Sequence, residues 1–204
     1  MLTTEFLLTS LVVVLVPGTG VIYTVSTGLF AGWRASIAAA VGCTAGILPH
    51  LCACVFGLSA ILHMSALAFQ MLKYAGSAYL LYLAWSMWRE TGRLQFHQPA
   101  GRKGMVQTAV RGILINILNP KLSIFFLAFL PLFVSSDAGS PIRQMVALSA
   151  VFMGMTLVIF ILYGLLASRV STYFSHSLAP RVWLQRSFAA IFAALAAKLA
   201  MSSR

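Results

Sequence analysis

Carboxylates are nearly missing from this chain of 204 residues, where Asp and Glu together number 3 against 14 Lys and Arg. Glu5 stands near the start, Glu90 in the polar middle and Asp137 in a turn rich in Ser, Gly and Pro. No long apolar run holds an acid, so no paired carboxylates and no membrane-embedded general base exist. GxSxG and HExxH patterns are also absent. These gaps argue against an enzyme. Cysteine is scarce as well: Cys43, Cys52 and Cys54 all fall in one apolar segment and form no disulfide framework. His50-x-Cys52-x-Cys54 suggests a soft-metal site at first sight. On a helix, however, His50 and Cys54 share a face while Cys52 points nearly opposite, which favours small buried residues. No metal and no cofactor are expected. No basic residue precedes Arg34, so the charged start of a signal peptide is missing and the first apolar run is expected to remain as a membrane span.

What is present is apolar. The chain is 60% hydrophobic and 8% charged, against about 45–50% and about 25% in soluble domains. Its net charge is +11, but the basic residues are spread over short loops rather than one face. Anionic lipid headgroups, not nucleic acid, are the expected partners.

Residues 6–33 carry no charge and exceed what is needed to cross a core of about 30 Å. Pro17-Gly18-Thr19-Gly20 predicts a break in this first span. A second span is expected at 37–62 and a third at 67–88. The third opens with Lys73 and ends in the aromatic band Tyr79, Tyr82, Trp85 and Trp88. Gly42, Gly46 and His50 recur every four residues, a helix-packing stripe on which a neighbour can approach closely. Residues 89–111 read as a polar loop. A fourth span is expected at 112–134, a fifth at 144–168 and a sixth at 183–201, bounded by Arg186 and Lys198.

Loops one, three and five hold Arg34, Arg89, Arg93, Arg102, Lys103, Arg111, Arg169, Arg181 and Arg186. Lys73, Arg143, Lys198 and Arg204 lie on the opposite side. This imbalance puts the three loops in the cytoplasm and both termini outside. The expected architecture is an all-α integral membrane protein of six transmembrane helices. It forms a single transporter domain over 1–204, with half one at about 1–88, the loop 89–111 and half two at about 112–204. Three spans per half make the halves inverted. Pro17 in span one and Pro120 in span four are matched breaks, a pattern that points to a midplane binding site.

Lys121, beside Pro120, sits at membrane depth, where a charge is expensive. The chain offers it no acid at that depth, since Asp137 lies about 24 Å further along a continuous helix. Either Lys121 snorkels or rests on backbone carbonyls freed by Pro120, or it receives the carboxylate of a bound zwitterion. Helix ends at Pro17 and Pro120, with Gly18, Thr19 and Gly20, would add amide donors for the same group. Asn116 and Asn119 share a face and either orient the cargo or join helices. His50 is the candidate for proton coupling, set against a neutral histidine bonded between helices.

These residues resemble the lysine exporter and homoserine/threonine exporter (LysE/RhtB) family. The resemblance rests on Pro17-Gly18, the Gly28/Gly32 end of span one, Gly42-x3-Gly46-x3-His50, Lys73-x2-Gly76-x2-Tyr79-Leu-x-Tyr82-Leu, and Asn119-Pro120-Lys121 followed by Phe125-Phe126 and Phe129-Leu-Pro131-x-Phe133. It implies proton-driven efflux of amino acids or close derivatives across the bacterial inner membrane. Three positions depart from the family pattern. Thr19 stands where members often have a second proline, and Leu132 replaces a polar residue. Ile47 stands where members often carry an acid, which disfavours a second positive charge on the cargo. The expected function is export of a neutral amino acid such as threonine, homoserine or leucine, with protons and membrane lipids as further partners; a homo-oligomer is compatible with the pattern. The rivals are a cation or metal efflux protein using His50 and Cys54, which Lys121 would repel, and a non-transporting membrane subunit.

Overall fold

The computed structural model describes residues 2–62, 104–134 and 140–169 continuously, with scattered helical positions between 70 and 89 and between 190 and 201. Among the described residues every regular element is helical. Helix α1 (Thr4–Leu15) starts where the Thr3 hydroxyl accepts the Phe6 amide at 3.2 Å and Glu5 sits in the first turn. It stops because Pro17 cannot donate the next ladder bond, and Val16 turns extended. Helix α2 (Thr19–Ala31) resumes after Gly18, bent 53° from α1. The break expected at Pro17-Gly18 is therefore present. Gly32 follows with φ +84° and ψ 177°, a conformation open essentially to glycine alone, so α3 starts at the next residue and packs against α2.

Helices α3 (Trp33–Ala45) and α4 (Leu48–Leu62) form one apolar span over Trp33–Gly57, with a tightened turn at Gly46–Ile47. It begins at Trp33 rather than at 37. Pro49 accounts for the tightening: it falls in the first turn of α4, where a missing N–H is tolerated. The second break lies between α5 (Met105–Ile117) and α6 (Pro120–Ile124), which continues through a π turn (Phe125–Phe129) and a 3-10 turn (Leu130–Phe133). The bend here is 51°, close to that at Pro17. The loop expected to last to residue 111 ends earlier, since α5 is helical from Met105. Thr108, Gly112 and Asn116 bury one face of this helix, and the Arg111 guanidinium lies 5.9 Å from the Tyr23 ring centre, which accommodates its charge on the helix. Helix α7 (Pro141–Arg169) is a 29-residue span with proline at its first position, slightly longer than the expected 144–168.

By length and composition, α3–α4 and α7 are each long and apolar enough to cross a membrane, and so are the two bent pairs if each is one span. Most of the third and sixth spans, the loop at 90–103, the basic loop after Arg169, Lys73, Trp88, Lys198 and Asp137 fall on residues outside the described set.

Small residues draw the spans together. A Cβ added at Gly42 would collide with the Ala109 backbone, and one at Gly46 would lie 2.7 Å from the Ile113 carbonyl. The stripe at Gly42 and Gly46 thus holds span two against α5, as its spacing predicts. Gly28 meets Gly164 in the same way, with 2.5 Å from a Cβ to the Gly164 carbonyl, so α7 closes on α2. Phe125 stacks on Phe152 with centroids 4.4 Å apart and fixes α7 against the second part of span four.

Candidate functional site

A proline in a helix strips the carbonyl four residues earlier of its donor. At the first break that carbonyl belongs to Val13. Lys121 supplies the missing bond: its Nζ donates to Val13 O and to Val16 O, each at 3.0 Å. The Tyr163 hydroxyl, from α7, donates to Leu15 O at 3.0 Å. The end of α1 is therefore capped by side chains from α6 and α7. Lys121 does rest on freed carbonyls, but on those at Pro17 and not, as one expectation had it, on those at Pro120.

At the second break the stripped carbonyl is that of Asn116. It accepts the Asn119 amide at 3.1 Å and His50 Nε2 at 2.9 Å. Because a carbonyl can only accept, Nε2 carries the proton. In the neutral ring Nδ1 then accepts from the Ser123 hydroxyl at 3.3 Å. Both asparagines are engaged. The Asn119 carbonyl oxygen Oδ1 caps α6 through the Lys121 amide at 3.1 Å, its Nδ2 donates to Asn116 Oδ1 at 3.2 Å, and Asn116 Nδ2 donates to Cys43 O at 2.7 Å. One helical turn beyond His50, the Cys54 thiol donates to Phe126 O at 2.9 Å. The π turn leaves that carbonyl out of the ladder, because Leu130 N–H bonds to Phe125 O instead. Cys54 is buried and Cys52 exposed, as their opposite helical faces require.

The two breaks meet at a small cavity. Gly18 and Gly20 line it from the first break, and Asn116, Asn119 and Lys121 from the second. A Cβ on Gly18 would sit 3.1 Å from Lys121 Nζ, and one on Gly20 2.5 Å from Asn116 Oδ1, so any side chain there would fill the space. Among the described residues, Lys121 is the one charged group in the lining, and no acid faces it. In this conformation about 10 Å³ is open, room for a single water.

A family model described as "LysE type translocator" matches residues 11–203. The chain belongs to the LysE type translocator family. It is 30% identical over 195 residues to the homoserine/homoserine lactone efflux protein of Salmonella typhimurium, covering 96% of this chain and 94% of that protein. It is 26% identical over 127 residues to the leucine efflux protein of an Enterobacter species, covering 62% and 60%. An uncharacterized membrane protein of Vibrio cholerae is 34% identical over 129 residues, covering 63% of each chain. No solved structure matches the chain.

In this LysE-type chain, sequence reasoning placed Gly18, Gly20, Asn116, Asn119 and Lys121 in one site, and the structure brings these five together. Pro17, Thr19 and Pro120 shape the breaks without lining the cavity, and Thr19 and Pro120 are exposed. His50 lies off the cavity and is bonded to one of its lining residues, Asn116. The contribution of span five was missed altogether. Phe152, Thr156 and Phe160 form one wall of the cavity, and Tyr163 caps the break beside it. Their i, i+4, i+8 spacing, with a hydroxyl in the centre of an apolar helix, was the available signal.

Proposed function

We propose that this LysE-type protein exports a small neutral amino acid, or a close derivative, across the bacterial inner membrane by alternating access around the Pro17 and Pro120 breaks. The observation that carries the reading is Lys121, a basic group in a cavity whose described lining holds no acid, where two bent spans meet. A cargo carboxylate supplies the anion that this lining does not. The first turn of α2 has no side-chain cap at Gly18, so its amides and positive dipole end support the same anion. Asn119 has taken up the corresponding role at α6, which leaves α2 as the better donor end. Ile47 is fully buried in the apolar core, at the position where the resemblance to the family implies an acid, and it offers no partner for a second positive charge. Neutral cargo also agrees with the names of the homoserine and leucine efflux relatives.

With room for one water, the cavity must widen before cargo enters. Proton coupling falls to His50, whose ring joins span two to the carbonyl freed by Pro120. Charging the ring turns Nδ1 from acceptor to donor and forces the Ser123 hydroxyl to rotate. Efflux of labelled threonine, homoserine or leucine from loaded vesicles, with and without a proton gradient, tests the reading. Lys121→Ala is expected to abolish export while the protein still inserts. If none of these amino acids moves, export is the wrong function.

A further inference from the structure

Val13 O and Val16 O form a carbonyl pair that belongs to no helix ladder. The first has lost its donor to Pro17, and the second lies in the extended link after α1. Both sit at the C-terminal end of α1, where the dipole favours positive charge. Freed carbonyls at the ends of broken membrane helices coordinate cations. In this structure both are taken by one primary amine, Lys121 Nζ, at 3.0 Å each. That amine also borders the cavity in which the proposed cargo must lie.

We infer that the Val13 and Val16 carbonyls are the subsite for the α-ammonium of the cargo, and that Lys121 occupies it when the transporter is empty. The inference rests on the amino-acid export reading above. An arriving amino acid brings the same chemical group as the one already bound. Its ammonium takes the two carbonyls, and Lys121 turns through the space beside Gly18 to meet the carboxylate. The carbonyls are never left bare, because one amine replaces another. The lysine ammonium cannot stay while the cargo ammonium binds, so occupancy of the subsite and formation of the ion pair are coupled.

The two halves of the cargo then make separable contributions. An α-hydroxy acid keeps the carboxylate but presents fewer donors and no positive charge to the carbonyls. Losing one hydrogen bond from a charged donor, and the charge behind the other, makes it at least about tenfold weaker. A methyl ester keeps the ammonium but gives Lys121 no anion, so in the wild type the two amines contend for one place.

The test is competition for binding to the full-length protein in detergent. The labelled ligands are threonine, homoserine and leucine, and the competitors are the α-hydroxy acid and the methyl ester of each. The hydroxy acids are expected to compete at least about tenfold more weakly than the amino acids. In Lys121→Met, which empties the carbonyl pair, the esters are expected to bind more tightly than to the wild type and the amino acids more weakly. Hydroxy acids that compete as well as amino acids overturn the subsite and leave the export reading standing. Esters that gain nothing from Lys121→Met also overturn it. If no amino acid binds at all, the export reading fails and the subsite with it. The wild-type comparison decides the matter even if Lys121→Met does not fold.

Discussion

The contact between Lys121 and the Pro17 break makes a definite energetic claim, which a double-mutant cycle can measure. Lys121→Met keeps an unbranched side chain one atom shorter and removes the donors to Val13 O and Val16 O. A buried carbonyl left without a partner costs about 1–3 kcal/mol in water-soluble proteins. Hydrogen bonds between membrane helices average about 0.6 kcal/mol and reach about 1.7, because the unfolded chain in lipid also finds partners. Two such bonds put the expected loss at about 1–3 kcal/mol. Pro17→Ala restores an N–H at the position from which the ladder would serve Val13 O. In that background Lys121→Met strands only Val16 O, so its cost falls by about half. The expected coupling is about 0.5–1.5 kcal/mol, read as the shift in unfolding midpoint when the four variants are titrated with SDS in mixed micelles. Tyr163→Phe is the internal control, since it strands Leu15 O, and Pro17→Ala is expected to leave its cost unchanged. If Lys121→Met costs the same in the wild-type and the Pro17→Ala backgrounds, the lysine is not completing the proline break and the reasoning fails.

Four further outcomes are expected. Gly42→Leu drives a side chain into the Ala109 backbone and is expected to abolish the folded protein in detergent, whereas Gly57→Ala, with none of the described residues within 4 Å of the added carbon, leaves the melting temperature unchanged; equal effects would show that the stripe is not a packing seam. His50→Gln keeps a donor for Asn116 O but cannot change charge, so efflux is expected to lose its dependence on pH while binding persists; an unchanged pH profile takes His50 out of the coupling step. Cys54→Ala strands Phe126 O and is expected to destabilise by about 1 kcal/mol, and Cys54→Ser, which retains a donor, recovers most of that in the same SDS titration. Thr156→Val removes the one hydroxyl of the α7 wall, so the preference for threonine or homoserine over leucine is expected to fall by about 2- to 10-fold in competition assays; an unaltered preference places the cargo side chain elsewhere.

The breaks at Pro17 and Pro120 were legible because proline chemistry is local: a missing N–H and a displaced carbonyl follow from one residue, wherever the helix packs. The Gly42 and Gly46 stripe was legible because a period of four on a helix marks one face. The start of α5 at Met105 was obscured by the polarity of the preceding loop, since a lone arginine such as Arg111 looks like a boundary until Tyr23 is seen beneath it. The cavity-lining face of span five was obscured for the opposite reason. With no proline and no charge between Gln144 and Ser168, the one mark of the face that lines the cavity is the Thr156 hydroxyl, one of several small polar groups scattered along the helix.

By itself the sequence determined that the protein is helical and membrane-embedded, that two spans break, and that Lys121 has no acid to pair with at its depth. Each follows from composition or from chemistry within a few residues. Only the tertiary structure decided which carbonyls Lys121 takes. The residues that meet at the Pro17 break, Val13, Lys121 and Tyr163, lie more than a hundred residues from first to last. Which side chain caps an orphaned carbonyl is set by where the small residues let helices touch, and that is a property of the packed bundle rather than of any one segment.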